Sequence, residues 1–429
     1  MKIKILKTSQ INFKKKLSDH LSFKQENSSA VEKIVDSILK EIQNNNDKGL
    51  ISLIKKYDKT SYKKISDSIV TKQEISNAYA KISKKILVNL KKAIKNIKFF
   101  SKQQKLKSWS INIKGSKLGE KVTPIETVGI YVPGGKASYP STVLMNAIPA
   151  KVAGVKNIIM VCPPGNGELN PLVLVAADLC GVDKIYKFGG AHAIGALAYG
   201  TNTVESVDKI VGPGNIYVAT AKKRVFGKVG IDSFAGPSEV LIIADQNANP
   251  EFIAMDMFAQ AEHDELAQAI LVSSSDKLIK AVIKKINDLI ASQPRKKIIE
   301  KSLSTRGLLI KVKNIDDIVR IADDIAPEHL EIFGYENMKL EKKIKNAGAI
   351  FIGQNSPEVF GDYCAGPNHV LPTSGSAKYA SPLGVYDFLK RTSLMKISQS
   401  HSKELSETAS ALADCEGLVA HSLSAKLRK

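Results

Sequence analysis

A chain of 429 residues, 43% hydrophobic and 24% charged, is long enough for two or three globular domains with real cores and is not a disordered protein. Its formal net charge of +21 raises the question of nucleic acid, but only six of 63 basic residues are arginine, on which bidentate phosphate and guanine recognition leans. The lysines read as solvated helix faces, no apolar run is long enough for a membrane span, and no secretory or zinc-ribbon pattern occurs, so a cytoplasmic protein without a specific nucleic-acid or membrane partner is expected.

In chain order, Val31, Ile34, Val35, Ile38, Leu39 and Ile42 recur at helical spacing. Ile75, Ala78, Tyr79, Ile82, Ile86, Leu90 and Ile94 do the same behind a Thr71-to-Glu74 capping box, which predicts one long second helix. From Val128 the texture changes to short apolar strands ended by Gly or Pro: 128–132, 157–162, 184–188 and 208–211. A second set follows at 240–244, 269–273, 307–312 and 349–353, again alternating with helices. Two parallel-sheet α/β domains are therefore expected, doubly wound and Rossmann-like but incomplete. After Pro382 the pattern is mainly helical, and an apolar stripe through Leu405, Ala409, Leu412, Cys415 and Leu418 must pack on its own chain or on a partner subunit.

Three strands end in glycine-rich turns, Tyr131-Val-Pro-Gly-Gly135, Gly189-Gly-Ala-His192 and Gly212-Pro-Gly-Asn215. None is a GxGxxG fingerprint, yet three such turns on one sheet edge suit a nucleotide cleft, because backbone amides there can approach phosphate. Four further stretches concentrate imidazole and amide or carboxylate oxygen: Gln260 with His263, Glu328 with His329, Asp362 to His369, and Glu416 to His421. This donor mixture suits a zinc-like ion. Gln260 and His263 are three apart on an expected 250–263 helix and can share a face. Asp362 is expected in a Gly-rich loop, and Glu328-His329 at a strand start can offer two proton acceptors to a cleft. Glu416 and His421, five apart, do not share a face of an ideal helix. Each stretch alone also reads as a cap, a turn or a satisfied loop histidine.

Together, in this order and spacing, these motifs with Ala235-Gly-Pro-Ser-Glu239, Pro327-Glu-His329, Gly361-Asp-Tyr363 and Asn368-His-Val-Leu-Pro372 resemble the histidinol dehydrogenase family over nearly the whole chain. The resemblance implies oxidation of L-histidinol to L-histidine through bound L-histidinaldehyde with two NAD, on a zinc-containing homodimer, as the last steps of histidine biosynthesis. It places the zinc ligands on Gln260, His263, Asp362 and His421 and the acid–base pair on Glu328 and His329. Substrate contacts fall on the ligands and His329 and additionally on Ser238, His369 and Glu416. The NAD contacts fall on Tyr131, Asn215 and His192, where many family members carry glutamine.

The domain plan that goes with this is a 1–26 extension, a first α/β domain of 27–127 with 239–381, a second of 128–238, and a 382–429 tail swapped in the dimer to complete the neighbour's active site. Two rivals stay open on sequence alone. A zinc hydrolase using Glu328 or Glu262 to activate water explains the His, Asp and Glu set but gives the glycine turns no work. A basic nucleic-acid binder explains only the charge.

Overall fold

The structure, a computed structural model, describes residues 1–22, 28–134, 139–165, 167–233, 236–335 and 339–428. Gly135, Ala235 and the expected boundary between residues 26 and 27 lie outside the described residues. Two parallel sheets organise the rest. The five-stranded sheet has the order Lys184–Tyr186, Asn157–Val161, Thr127–Tyr131, Lys209–Val211, Gly230–Ile231. The six-stranded sheet runs Lys4–Lys7, Leu308–Lys311, Gln268–Ser273, Glu239–Ala244, His329–Phe333, Ala349–Ile352. Every neighbouring pair in both sheets is parallel.

The central strands read as unbroken apolar runs because both faces are covered, which is the condition for a parallel sheet. Glu239–Ala244 is buried at all six positions. On one face of the six-stranded sheet lie Pro250–Ala261, Asp276–Leu289 and Lys296–Thr305; Phe13–Leu21 and Ile315–Ile325 cover the other. On the five-stranded sheet, Pro140–Ala153 and Pro171–Cys180 cover one face and Gly190–Tyr199 and Ile216–Val225 the other.

Several elements differ from the sequence reading. The expected second helix is two: Lys72–Lys81 opens on the Thr71–Glu74 capping box, Ile82 is extended, and the Ser83 hydroxyl starts Lys84–Gln103 by accepting from Ile86 N. Ser28–Tyr57 is itself interrupted at Asn46, whose φ is 47°. The expected domain plan places these helices with 239–381, but Ile38, Leu39 and Ile42 pack with Ile159 and Val161, and Ala93 and Ile97 with Ile148 and Met160, so they cover the five-stranded sheet. The N-terminal extension supplies the edge strand Lys4–Lys7 of the six-stranded sheet. The tail is not helical from its start: Leu389–Lys396 pairs antiparallel with Ser116–Pro124, which pairs in turn with Trp109–Ile113. Helices Gln399–Cys415 and Val419–Lys426 follow. No helix among the described residues is long and apolar enough to cross a membrane.

In each sheet the chain winds outward in one direction from a central strand and then returns to its other side. For the five-stranded sheet that switch lies between Thr127–Tyr131 and Lys209–Val211, so Pro133-Gly134 and Gly212 to Asn215 sit together at its carboxyl edge. Gly212 has φ 109°, and a Cβ there would lie 2.2 Å from the Tyr131 carbonyl oxygen. Gly212→Ala should lower the unfolding free energy by about 2 kcal/mol or more in denaturant melts. Gly165→Ala, where a Cβ meets nothing within 4 Å, should stay within about 0.5 kcal/mol of the parent.

Candidate active site

The carboxyl edge of the five-stranded sheet faces the amino edge of the six-stranded one across a cleft of about 850 Å³. Gly212 to Asn215 with Pro133 and Gly134 line the first wall. Ser238, Gln260, His263, Glu328, His329, Asp362 and His369 line the second. The crossing chain enters the second sheet at Glu239, the first residue of its central strand.

Glu239 anchors the proton-transfer candidates. Its amide donates to Glu328 Oε2 at 2.8 Å, and its carbonyl accepts from His329 Nδ1 at 3.1 Å. Because a carbonyl only accepts, Nδ1 carries the hydrogen and Nε2 is the ring nitrogen left for other chemistry. Nε2 is buried, lies 3.5 Å from Asp362 Oδ1, and has no hydrogen-bond partner among the described residues. Burial alone would lower this imidazole, but the carboxylates of Glu328, Glu358 and Asp362 outweigh it and hold His329 well above the ordinary value. Burial pushes Glu328 up to about 7.

The metal-ligand candidates come from two short elements. Helix Pro250–Ala261 ends two residues earlier than expected; Gln260 is in its last turn, and His263 follows with its amide on Gln260 O at 3.3 Å. Asp362 is not in a loop but on the helix Glu358–Tyr363. Gln260 is 1% exposed, and its Nε2 has no hydrogen-bond partner among the described residues. Burial lowers His263 and His369, which favours neutral rings, while neighbouring imidazoles hold Asp362 below the usual carboxylate value against its own burial. His369 is oriented by donating Nδ1–H to Asp362 O at 2.9 Å.

Four residues named from sequence do not line this cleft. Glu416 and His421 are exposed on the tail of the single chain. Tyr131 is buried with its hydroxyl accepting from Gly190 N at 3.1 Å. His192 is buried too, donating Nε2–H to Asp58 Oδ2 at 2.9 Å and stacked on Tyr57. Asp58 Oδ2 also accepts from Gly189 N, so His192 braces the glycine turn instead of projecting from it. Asn215 does reach the cleft, but its Oδ1 caps helix Ile216–Val225 through Tyr217 N and Val218 N. Among the described residues no group of three or more His, Cys, Asp or Glu could hold a metal ion; the amide of Gln260 lines the same cleft as His263 and Asp362.

A family model described as histidinol dehydrogenase matches residues 21–429. The chain belongs to the histidinol dehydrogenase family. The histidinol dehydrogenase of Nitrosospira multiformis is 49% identical over 427 residues, covering 99% of this chain and 97% of that one. That of Nitrosomonas europaea is 48% identical over 429 residues, covering 100% and 99%. The crystal structure of histidinol dehydrogenase from Elizabethkingia anophelis superposes with a TM-score of 0.93 at 35% identity, over 99% of this chain and 98% of that one. Membership in the histidinol dehydrogenase family makes the chain an oxidoreductase of histidine biosynthesis, and the hydrolase reading of the same residues falls away.

Sequence reasoning missed the carboxylates behind His329. Glu358 Oε2 lies 3.8 Å from its Nδ1, Glu331 Oε1 accepts from Glu358 N at 2.8 Å, and the Asp256 carboxyl is close enough to Glu331 to act on its charge. Their separation of about a hundred residues hides the cluster from any local pattern. Burial, and for Glu331 also the Asp256 charge, pushes Glu331 up to about 8 and Asp256 to about 6, so the pair holds a proton at neutral pH. Folded values above the unfolded ones give a contribution that is full below the unfolded carboxyl values and is lost as pH rises through the folded ones. The thermal midpoint should therefore fall from about pH 5 to about pH 8, and Glu331→Gln should flatten that fall. An unchanged slope in the variant would exclude the shared proton.

Proposed function

We propose that the chain oxidises L-histidinol to L-histidine through bound L-histidinaldehyde, with two NAD and one zinc ion per subunit. The observation that carries this reading is the cleft itself, in which the buried His329–Glu328 pair faces the Gly212–Asn215 turn. The walls differ in their electrostatics. At the carboxyl edge of a parallel sheet the helices present amino ends, which favour phosphate; at the amino edge they present carboxyl ends, which favour cations. Gln260 and His263 stand at such a carboxyl end.

Gln260, His263 and Asp362 fit a zinc ion, as neutral imidazole and oxygen donors beside a buried amide with an unpartnered nitrogen. His421 would complete the set from a second subunit, with Glu416 beside the substrate. When bound, zinc supplies an electrophilic anchor for the imidazole and amine of histidinol, and NAD supplies the hydride acceptor. The rest is done by side chains. His329, held through Nδ1 by Glu239 O and with Nε2 free of any hydrogen-bond partner among the described residues, accepts the alcohol proton at Nε2 from its neutral form. Glu328, fixed by Glu239 N, accepts a proton from water as it adds to the aldehyde. Ser238 and His369 border the same space and orient the substrate. Tyr131 and His192 act on the dinucleotide by shaping the Gly189–Gly190 turn.

Incubation with histidinol and excess NAD should yield two NADH per histidinol, and the absence of NADH from zinc-loaded protein would sink the reading. His329→Asn should lower the rate roughly 10²- to 10⁴-fold; near-full turnover would remove the assignment.

The shared site has its own test. In a mixed dimer of His421→Ala and His329→Asn chains, a tail acting across the interface places both lesions in one site and leaves the other intact. About half the parental activity per mixed dimer should return; a tail acting within its own chain leaves both sites dead.

A further inference from the structure

We infer that the buried Lys222–Asp232 ion pair is a positioning device for the dinucleotide, locking the Gly212–Asn215 turn to the segment that carries the chain toward Ser238. The inference rests on the NAD reading above and extends it to two residues outside every glycine-turn motif.

Lys222 belongs to helix Ile216–Val225 and is only 3% exposed. Its ammonium donates to Gly212 O at 2.9 Å and to Asp232 Oδ1. The other oxygen of Asp232 accepts from Gly212 N at 2.7 Å, and Oδ1 also accepts from Ser233 N at 2.7 Å. Both backbone polar groups of Gly212 therefore end in one ion pair. Gly212 cannot secure the turn by a side chain of its own, because a Cβ would strike Tyr131 O.

The placement argues for a role at the cleft. An apolar pair of similar volume would avoid the desolvation of two charges, and such replacements are often neutral or stabilising in protein cores. Here it would strand the Gly212 amide and carbonyl, which are the groups that set the path of the turn. Lys222 and Asp232 both line the cleft beside Pro213, Gly214 and Asn215. Asp232 directly follows the last strand of the five-stranded sheet, on the stretch of chain that crosses to the other lobe. The pair thus joins the phosphate-facing turn to the route that ends at Ser238 and Glu239, and its loss is felt first by the ligand that needs the turn.

The test uses the full-length protein, with NADH affinity read by fluorescence titration beside KM for NAD, KM for histidinol, zinc content and thermal midpoint. Lys222→Met should raise the NADH Kd and the KM for NAD at least about tenfold, with histidinol KM and bound zinc within about twofold of the parent. Asp232→Asn keeps an acceptor for the Gly212 amide but leaves the buried lysine without its counter-ion, and should shift the same two quantities in the same direction.

A folded Lys222→Met protein that binds NADH as the parent does overturns the inference, as does a histidinol KM that rises in step with that for NAD. If Lys222→Met does not fold, Asp232→Asn decides by the same readouts; failure of both to fold overturns it, by making the pair a determinant of the fold at large. A parent protein that binds no NADH sinks the NAD reading and the inference with it, whereas a binding parent beside unaltered variants sinks the inference alone.

Discussion

The two backbone groups of Glu239 hold the reactive corner of this molecule together. The first residue of a strand has backbone polar groups that the ladder does not always satisfy, and a buried one must find a partner. Here Glu328 takes the amide and His329 the carbonyl, so the ladder's own unmet demand places both side chains and selects the imidazole tautomer. Moving either strand by one residue would turn these groups to the other face. The geometry of the candidate base is thus a by-product of sheet register, which the apolar residues Val240 to Ile243, Leu330, Ile332 and Phe333 enforce through burial on both sides.

The same register explains the charge distribution around the cleft. Glu358, Glu331 and Asp256 lie where carboxylates are expensive to bury, and burial raises all three. His329 sits against Glu358 and Glu328 and offsets part of that cost, at the expense of its own proton affinity being raised. Opposite, the Lys222–Asp232 pair closes on itself and leaves the turn wall neutral apart from its backbone amides. One wall therefore carries carboxylates and imidazoles and the other presents peptide N–H groups, a division that follows from which edge of each sheet is turned inward.

The strands and glycine turns are legible because they depend on local chemistry: apolar runs such as Val128 to Val132 and Val240 to Ala244 fit an extended conformation between Gly and Pro punctuation. The helix break at Ser83 was also written locally, but the apolar period runs through it and masks the serine cap. What the sequence hides is pairing at long range. Leu389–Lys396 is largely exposed and finds Ser116–Pro124 some 270 residues away, so no turn joins the two and nothing local in Leu389–Lys396 marks its partner. His192 shows why motif position alone misleads: its place beside Gly189-Gly190 suggests a ligand contact, whereas Asp58, 134 residues earlier, claims its Nε2.

The tail gives the strongest reason to read the site as belonging to two chains. Its helices pack on each other through Ser406, Ser410, Ala413 and Ser422, small side chains that permit close approach but bury little apolar area. The larger residues Leu405, Leu412, Leu418, Val419, Leu423 and Leu427 face outward, as do Trp109, Ile111 and Ile113 on the sheet that anchors the tail. A monomer seldom leaves so many large apolar side chains in water over so short a stretch. Glu416 and His421 stand among them, exposed and apart from the cleft that holds Gln260, His263 and Asp362. A second copy seated on this face would bury the apolar residues and carry those two polar side chains inward with them, so hydrophobic association and completion of the donor set become a single event.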